Sequence, residues 1–142
     1  MSDTRMRYAG GCLCGALRYE ATGEPSYMGH CYCGDCRKAS GSGFIPFMSF
    51  PARAIRFTGT SKIFEVPAAR GGVSTRNFCP NCSSLVFGGI MGQSDSFTIY
   101  AGSLDDASLF KPSMAIFNHG RPDWAMLPPS VTTVFEKMPG MK

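Results

Sequence analysis

Residues 31–36 read CYCGDC, a C-x-C-x-x-C run that places three thiols within six residues. Such a run can close on one metal ion from a single tight turn, and Gly34 avoids a Cβ where the backbone bends. Zinc in proteins is usually four-coordinate, so three cysteine ligands leave one position open. The run therefore predicts a metal site that can take an external ligand.

Two more cysteine pairs flank this run at a distance. Residues 11–15 read GCLCG and residues 78–82 read FCPNC. The two pairs together supply four thiolates, which is the number that a closed, structural zinc site needs. The seven cysteines of the chain therefore divide into four plus three.

Other uses of the cysteines are less consistent with the sequence. Disulfides would leave one of seven cysteines over, and residues 1–7 show no apolar secretory segment, so we expect a reducing, cytoplasmic location. An iron–sulfur cluster is compatible with the spacing, although the Cys-Pro-Asn-Cys knuckle is more typical of zinc. Buried, unliganded cysteines would not need to cluster. We expect two Zn²⁺ ions per chain.

The composition indicates one mainly β domain over residues 1–142. The chain is 44% hydrophobic and 17% charged, and its 17 glycines and 10 prolines favour turns and short strands over long helices. The net charge of +4 comes from singly scattered basic residues, which argues against a nucleic-acid partner. No apolar run is long enough to span a bilayer, so no membrane partner is expected.

Local patterns place the cysteines on turns between strands. Residues 5–24 read as strand, turn and strand, and residues 73–89 read as a hairpin with the second cysteine pair at its tip. Residues 37–40 are predicted to form one helical turn that ends at the following glycines. Because Pro46 interrupts the apolar run 44–50, we predict an edge or bulged strand there.

The residues beside the central run have alternative interpretations. His30 could shuttle a proton or could be a packing residue. It is also a conceivable fourth metal ligand, but on an extended chain its side chain points away from that of Cys31. Arg37 and Lys38 could balance the charge of the site, meet a substrate carboxylate, or be solvated surface residues. Trp124 is expected in the core with three phenylalanines, Phe44, Phe47 and Phe117.

Five motifs resemble those of one known family: residues 11–15, residues 30–38 (HCYCGDCRK), residues 78–82, residues 101–106 (AGSLDD) and residues 121–124 (RPDW). The sequence resembles the glutathione-dependent formaldehyde-activating (Gfa), or centromere-protein-V-type, family over roughly residues 8–138. This resemblance implies an Mss4-like fold of small antiparallel sheets that converge on zinc sites, with little helix. Two departures are Ser83, where a glycine is common, and the stretch at residues 118–120.

The resemblance also implies site roles. The structural zinc ligands would be Cys12, Cys14, Cys79 and Cys82. The catalytic zinc ligands would be Cys31, Cys33 and Cys36. Apart from the resemblance, His30 and Arg37 are further catalytic candidates, because they lie beside these ligands in the sequence.

The implied activity is that of a zinc-dependent carbon–sulfur lyase, which joins a glutathione-like thiol to a small electrophile such as formaldehyde or separates them. The expected partner is a small-molecule thiol or thiol adduct, and a homodimer is possible because free strand edges pair. The alternative is a non-catalytic, zinc-stapled protein-interaction module. The fourth ligand of the three-cysteine metal separates the two hypotheses.

Overall fold

The computed structural model of the protein describes residues 5–141, which form eleven strands and one α-helix. The strands and helix are, in chain order, β1 (Arg7–Gly11), β2 (Arg18–Thr22), β3 (Tyr27–Cys31), α1 (Gly34–Ser40), β4 (Ile45–Pro51), β5 (Ile55–Thr58), β6 (Lys62–Pro67), β7 (Val73–Phe78), β8 (Leu85–Gly88), β9 (Ser96–Tyr100), β10 (Met114–Ile116) and β11 (Thr133–Val134). The expectation of a mainly β protein with little helix is confirmed.

The strands form two sheets. A three-stranded antiparallel sheet has the order β1-β2-β5, and an eight-stranded sheet has the order β11-β10-β3-β4-β9-β8-β7-β6. The larger sheet is antiparallel except at one end, where β10 runs parallel to both β3 and β11. Within this sheet, β3 leads into the three-cysteine run, and the β7–β8 hairpin carries the second cysteine pair.

The main hydrophobic core lies between the two sheets. Leu17 and Tyr19 of the smaller sheet and its turn are buried with Phe50, Phe87 and Ile99 of the larger sheet. A second buried cluster surrounds the three-cysteine run, which packs against Ile45, Phe47 and Ile116. The three cysteines therefore have an apolar environment of their own, separate from the main core.

The expectation of an edge or bulged strand at β4 was wrong. This strand lies inside the larger sheet, between β3 and β9. Pro46 pairs with His30 of β3, but pairing with β9 begins only at Phe47. The missing N–H of Pro46 therefore lies beyond the ladder with β9, so the proline is tolerated in an interior strand.

The core assignment of Trp124 was also wrong, since its side chain is 70% exposed. It lies against Gly43, where a Cβ would come within 3.0 Å of the indole. The exposed indole thus covers a buried glycine.

Between residues 5 and 141, no helix has the length and apolar character needed to cross a membrane.

Candidate metal sites and the cavity beside them

Two turns bring the four-cysteine cluster together. Cys12 and Cys14 lie on the turn between β1 and β2, and Cys79 and Cys82 lie on the tip of the β7–β8 hairpin. The four Sγ atoms lie within 4.8 Å of one another, and Cys14 Sγ is 3.7 Å from the Sγ atoms of both Cys12 and Cys79. Tetrahedral zinc with Zn–S bonds of about 2.3 Å places its sulfurs about 3.8 Å apart. The donor set therefore fits one zinc ion.

Hydrogen-bond donors surround these sulfurs. The backbone N–H of Leu17 donates to Cys12 Sγ at 3.2 Å, and the Asn81 side-chain amide donates to Cys14 Sγ at 3.2 Å. Contacts with the Ser84 hydroxyl and backbone lower the pKa of Cys82 to about 5. Such donors favour thiolates, the form in which cysteine binds metal.

Ser83 follows this knuckle with a φ of +66°, in the left-handed region. Its N–H donates to the Cys79 carbonyl at 2.8 Å, and the Cys79 N–H donates to the Ser84 carbonyl at 3.0 Å. The departure from glycine therefore leaves the turn intact, and a serine adopts the backbone conformation that glycine favours.

The end of β3 and the start of α1 bring the three-cysteine cluster together. Cys31 is the last residue of β3, Cys33 is the N-cap of α1, and Cys36 lies in its first turn. The Cys36 N–H donates to Cys33 Sγ at 3.2 Å, and the three Sγ atoms lie within 4.8 Å of one another. Gly41 ends the helix in the left-handed conformation, so the predicted helical turn is confirmed.

The three thiols differ in pKa. Hydrogen bonds from Cys31 and Cys36 lower the pKa of Cys33, and the bond to Cys33 raises the pKa of Cys31. These contacts favour the thiolate form of Cys33 over that of Cys31. Three clustered sulfurs fit a metal that binds through thiolates.

A cavity of about 910 Å³ opens beside this cluster. Its lining includes all three cysteines together with both apolar and polar side chains. The apolar residues next to the cysteines include Ile45, Phe47, Ile116, Phe117 and Met138. Of the two cysteine clusters found among residues 5–141, only the three-cysteine cluster lines this cavity.

Arg76 of β7 contacts this cluster, and the sequence analysis missed it. Its side chain is buried, and Nη2 lies 3.8 Å from Cys36 Sγ as a hydrogen-bond donor. Arg76 also lies beside Tyr100, another residue that lines the cavity. Burial raises the pKa of Tyr100 to about 12, although the positive charge of Arg76 acts to lower it. The one available signal was an arginine on the strand that leads into the second cysteine pair.

His30 lies on the other face of β3. It is buried, stacks on Phe44 with ring centroids 4.0 Å apart, and its Nδ1 is 3.1 Å from the Tyr32 hydroxyl. Burial lowers the pKa of His30 to about 4, so the imidazole is neutral near pH 7. His30 is not among the described residues that line the cavity.

Arg37 is partly buried on α1, and it also does not belong to the described cavity lining. Its guanidinium lies over the start of the helix, 3.8 Å from the position that a Cβ on Gly34 would take. Of the five residues predicted to be catalytic, the structure brings the three cysteines together at the cavity and places His30 and Arg37 outside it.

The departure at residues 118–120 forms part of the cavity wall. Phe117 has a φ of +53°, and His119 lines the cavity. Backbone N–H groups of Phe117 and Asn118 donate to carbonyls of Lys137 and Phe135 at 3.0 and 3.1 Å. The C-terminal segment 135–139 is thereby held against the cavity.

The fold and the two clusters define a mainly β protein with two sets of cysteines that could hold metal ions. Comparison with family models matches residues 7–120 to the glutathione-dependent formaldehyde-activating enzyme family. The chain belongs to this family. The resemblance noted in the sequence is confirmed.

A solved crystal structure supports the fold. It is that of a Rhodobacter sphaeroides protein, a structural-genomics target, with a TM-score of 0.52 and 16% identity, covering 69% of this chain and 88% of that chain. At this identity the likeness concerns the fold alone. A comparison with curated proteins found no match.

Proposed function

We propose that the protein is a zinc-dependent carbon–sulfur lyase that acts on a glutathione-like thiol and a small aldehyde such as formaldehyde. The observation that carries the proposal is the difference between the clusters: three cysteines face a cavity, and four cysteines form a set that fills all positions of a tetrahedral metal. The family supports the substrate class, since its name denotes glutathione-dependent formaldehyde activation.

The proposed ligands follow from this difference. Cys12, Cys14, Cys79 and Cys82 would hold a structural zinc, and the three cysteines at residues 31, 33 and 36 would hold the working zinc. When bound to three thiolates, zinc supplies an open position that can lower the pKa of a substrate thiol. The apolar side chains packed around the cluster lower the local polarity, which strengthens electrostatic interactions at the ligands.

The proposed reaction forms one carbon–sulfur bond. The thiol gives up its proton to solvent, and its sulfur electron pair attacks the carbonyl carbon. The C=O π pair moves to oxygen, which takes up a proton and becomes the hydroxyl of an S-(hydroxymethyl) adduct; the reverse reaction cleaves the adduct.

The Tyr100 hydroxyl is proposed to donate a hydrogen bond to the oxygen that develops negative charge. It lines the cavity, and a pKa raised to about 12 by burial keeps it protonated at neutral pH. His30 and Arg37 lie outside the cavity lining, so we assign His30 a packing role and give Arg37 no part in the chemistry.

We further propose that one domain extends past the matched region. The family match ends at residue 120, but β11 pairs with β10 and the Phe135 N–H donates to the Ala115 carbonyl at 2.9 Å. These contacts support a single unit up to about residue 138.

The test combines metal analysis with an exchange assay. Zinc per chain is measured before and after mild chelation, and glutathione–formaldehyde exchange is followed by NMR in the native protein and in Cys33→Ala. We expect two zinc ions, of which mild chelation and Cys33→Ala each remove one, and loss of exchange when that ion is lost.

A single zinc ion that is unaffected by Cys33→Ala would contradict the proposal and favour the zinc-stapled interaction module. The proposal would also be contradicted if protein that holds both zinc ions exchanged glutathione and formaldehyde no faster than buffer does.

A further inference from the structure

Arg76 is a buried cation with no carboxylate partner among residues 5–141. Its side chain is only 9% exposed, and the ion pairs found between residues 5 and 141 join Arg7 to Glu20 and Arg18 to Asp105. A buried charge needs a compensating charge, because removing it from water is costly. The compensating charge must therefore come from another kind of neighbour.

The neighbours that can supply this charge are the cysteines of the cavity. Arg76 Nη2 donates a hydrogen bond to Cys36 Sγ at 3.8 Å. Arg76 and Cys33 also line the same cavity. Three thiolates around a divalent ion carry one net negative charge, which the single positive charge of Arg76 balances.

We infer that Arg76 is the counter-ion of the three-cysteine site, and that its charge makes the open position prefer an anionic thiolate to a neutral ligand. The inference rests on the proposed function, because it requires a metal at this cluster. A thiolate adds a second negative charge to the site, and a guanidinium in contact with the ligands offsets it strongly in an apolar pocket. A neutral ligand adds no charge, so its binding gains little from Arg76.

The test measures both kinds of ligand on one protein. The protein is loaded with Co²⁺ in place of zinc, and 2-mercaptoethanol or imidazole is titrated in while the visible cobalt spectrum is recorded. Spectral changes report on the three-cysteine site, because four thiolates leave no position for an added ligand. Mercaptoethanol has no carboxylate, so cations elsewhere in the cavity have no second anionic group to bind.

We expect Arg76→Met to raise the Kd of the thiolate about tenfold or more, and the Kd of imidazole by less than about threefold. Arg76→Lys keeps the charge and is expected to retain most of the preference. Arg70→Met is the matched control, because Arg70 is exposed, lines the same cavity and makes no hydrogen bond to a cysteine among residues 5–141. It should change either Kd by less than about threefold.

If Arg76→Met raised the Kd of both ligands equally, or left the Kd of the thiolate unchanged, the inference would be overturned and the proposed function would stay intact. The inference would also be overturned if Arg76→Lys raised the Kd of the thiolate as much as Arg76→Met does. If Arg76→Met does not fold, as judged by circular dichroism and cobalt content, Arg76→Gln provides the neutral variant. Native protein that binds no Co²⁺ at the three cysteines would overturn both the inference and the proposed function.

Discussion

Tyr100 is partly buried and His30 is buried, and both lie close to the three-cysteine run, but only Tyr100 lines the cavity. If Tyr100 donates to the developing oxygen anion, Tyr100→Phe should lower kcat about 10²-fold, because one such donor typically has an effect of this size. The measurement is the NMR exchange assay with glutathione and formaldehyde, together with the zinc content.

His30→Phe is the matched control, since it replaces a buried ring that lies outside the described cavity lining. Phenylalanine can still stack on Phe44, where the ring centroids are 4.0 Å apart. We expect this variant to keep kcat within about threefold and to keep the shape of the pH profile between pH 6 and 8. A loss as large as that of Tyr100→Phe would make His30 a participant in the reaction, and an active Tyr100→Phe would remove Tyr100 from it.

Ser83→Gly is expected to stabilise the metal-loaded protein by about 0.5–1 kcal/mol. The serine has a φ of +66°, which glycine adopts without the steric cost that a Cβ brings, and this gain exceeds the added freedom of the unfolded chain. Denaturant unfolding measures the difference.

Ser42→Gly is the control for this prediction. Ser42 is an exposed serine next to a glycine, and it is not one of the described non-glycine residues with positive φ. Glycine there should be neutral or destabilising by up to about 1 kcal/mol. Equal effects of the two changes would show that backbone strain at Ser83 is negligible.

The sequence was informative about the cysteines and uninformative about Arg76. Spacing alone grouped all seven cysteines correctly, because the thiols of each local run are close enough in sequence to meet. Arg76 is 40 residues from Cys36, and only the order of strands in the larger sheet brings them together. A contact that depends on strand order has no local signature.

The C-terminal segment acts as a cover for the three-cysteine site. Met138 packs against the apolar cluster around the cysteines, outside the region that matches the family. We expect Met138→Ala to speed chelator removal of the metal at this site about threefold or more, since lost apolar cover is on the order of 1 kcal/mol. The rate of zinc release to a coloured chelator measures this effect.

Met126→Ala is the corresponding control, because Met126 is 77% exposed and takes no part in the cavity lining among the described residues. Its release rate should equal that of the native protein. A Met138→Ala protein with native release would show that the segment does not restrict access to the metal.

Strand types were easier to predict than strand neighbours. The β1–β2 turn and the β7–β8 hairpin follow from local patterns, and both were predicted. The parallel pairing of β3 with β10 joins segments more than eighty residues apart, and neither segment carries a signal for its partner. The error at Pro46 has the same origin, since the tolerance for proline depends on where the third strand begins to pair.

Across the whole molecule, the four-cysteine cluster connects the two sheets. Cys14 belongs to the turn of the smaller sheet, and Cys79 belongs to a hairpin of the larger one. Because such a site exists only in the folded chain, the free energy of metal binding adds to the free energy of folding, on the order of 10 kcal/mol. We therefore expect Cys14→Ser to lower the unfolding midpoint by about 10 °C or more.

Cys33→Ser should lower the midpoint by less than about 5 °C, because its cluster joins only β3 to the adjacent helix. Cys14 is exposed, so the loss in Cys14→Ser cannot come from packing. Calorimetry of both variants with zinc present makes the comparison. Equal midpoints would show that neither cluster holds the sheets together.

The order of the cysteines along the chain also sets the order in which the sites can be completed during synthesis. Cys12 and Cys14 leave the ribosome first, but Cys79 and Cys82 follow only after the entire three-cysteine run has emerged. A nascent chain that meets zinc at that stage holds five thiols and no complete four-cysteine set. We expect the first ion to bind to the local run, and the two sheets to remain unconnected until the β7–β8 hairpin forms. Supply of metal would therefore govern the yield of folded protein most strongly late in translation.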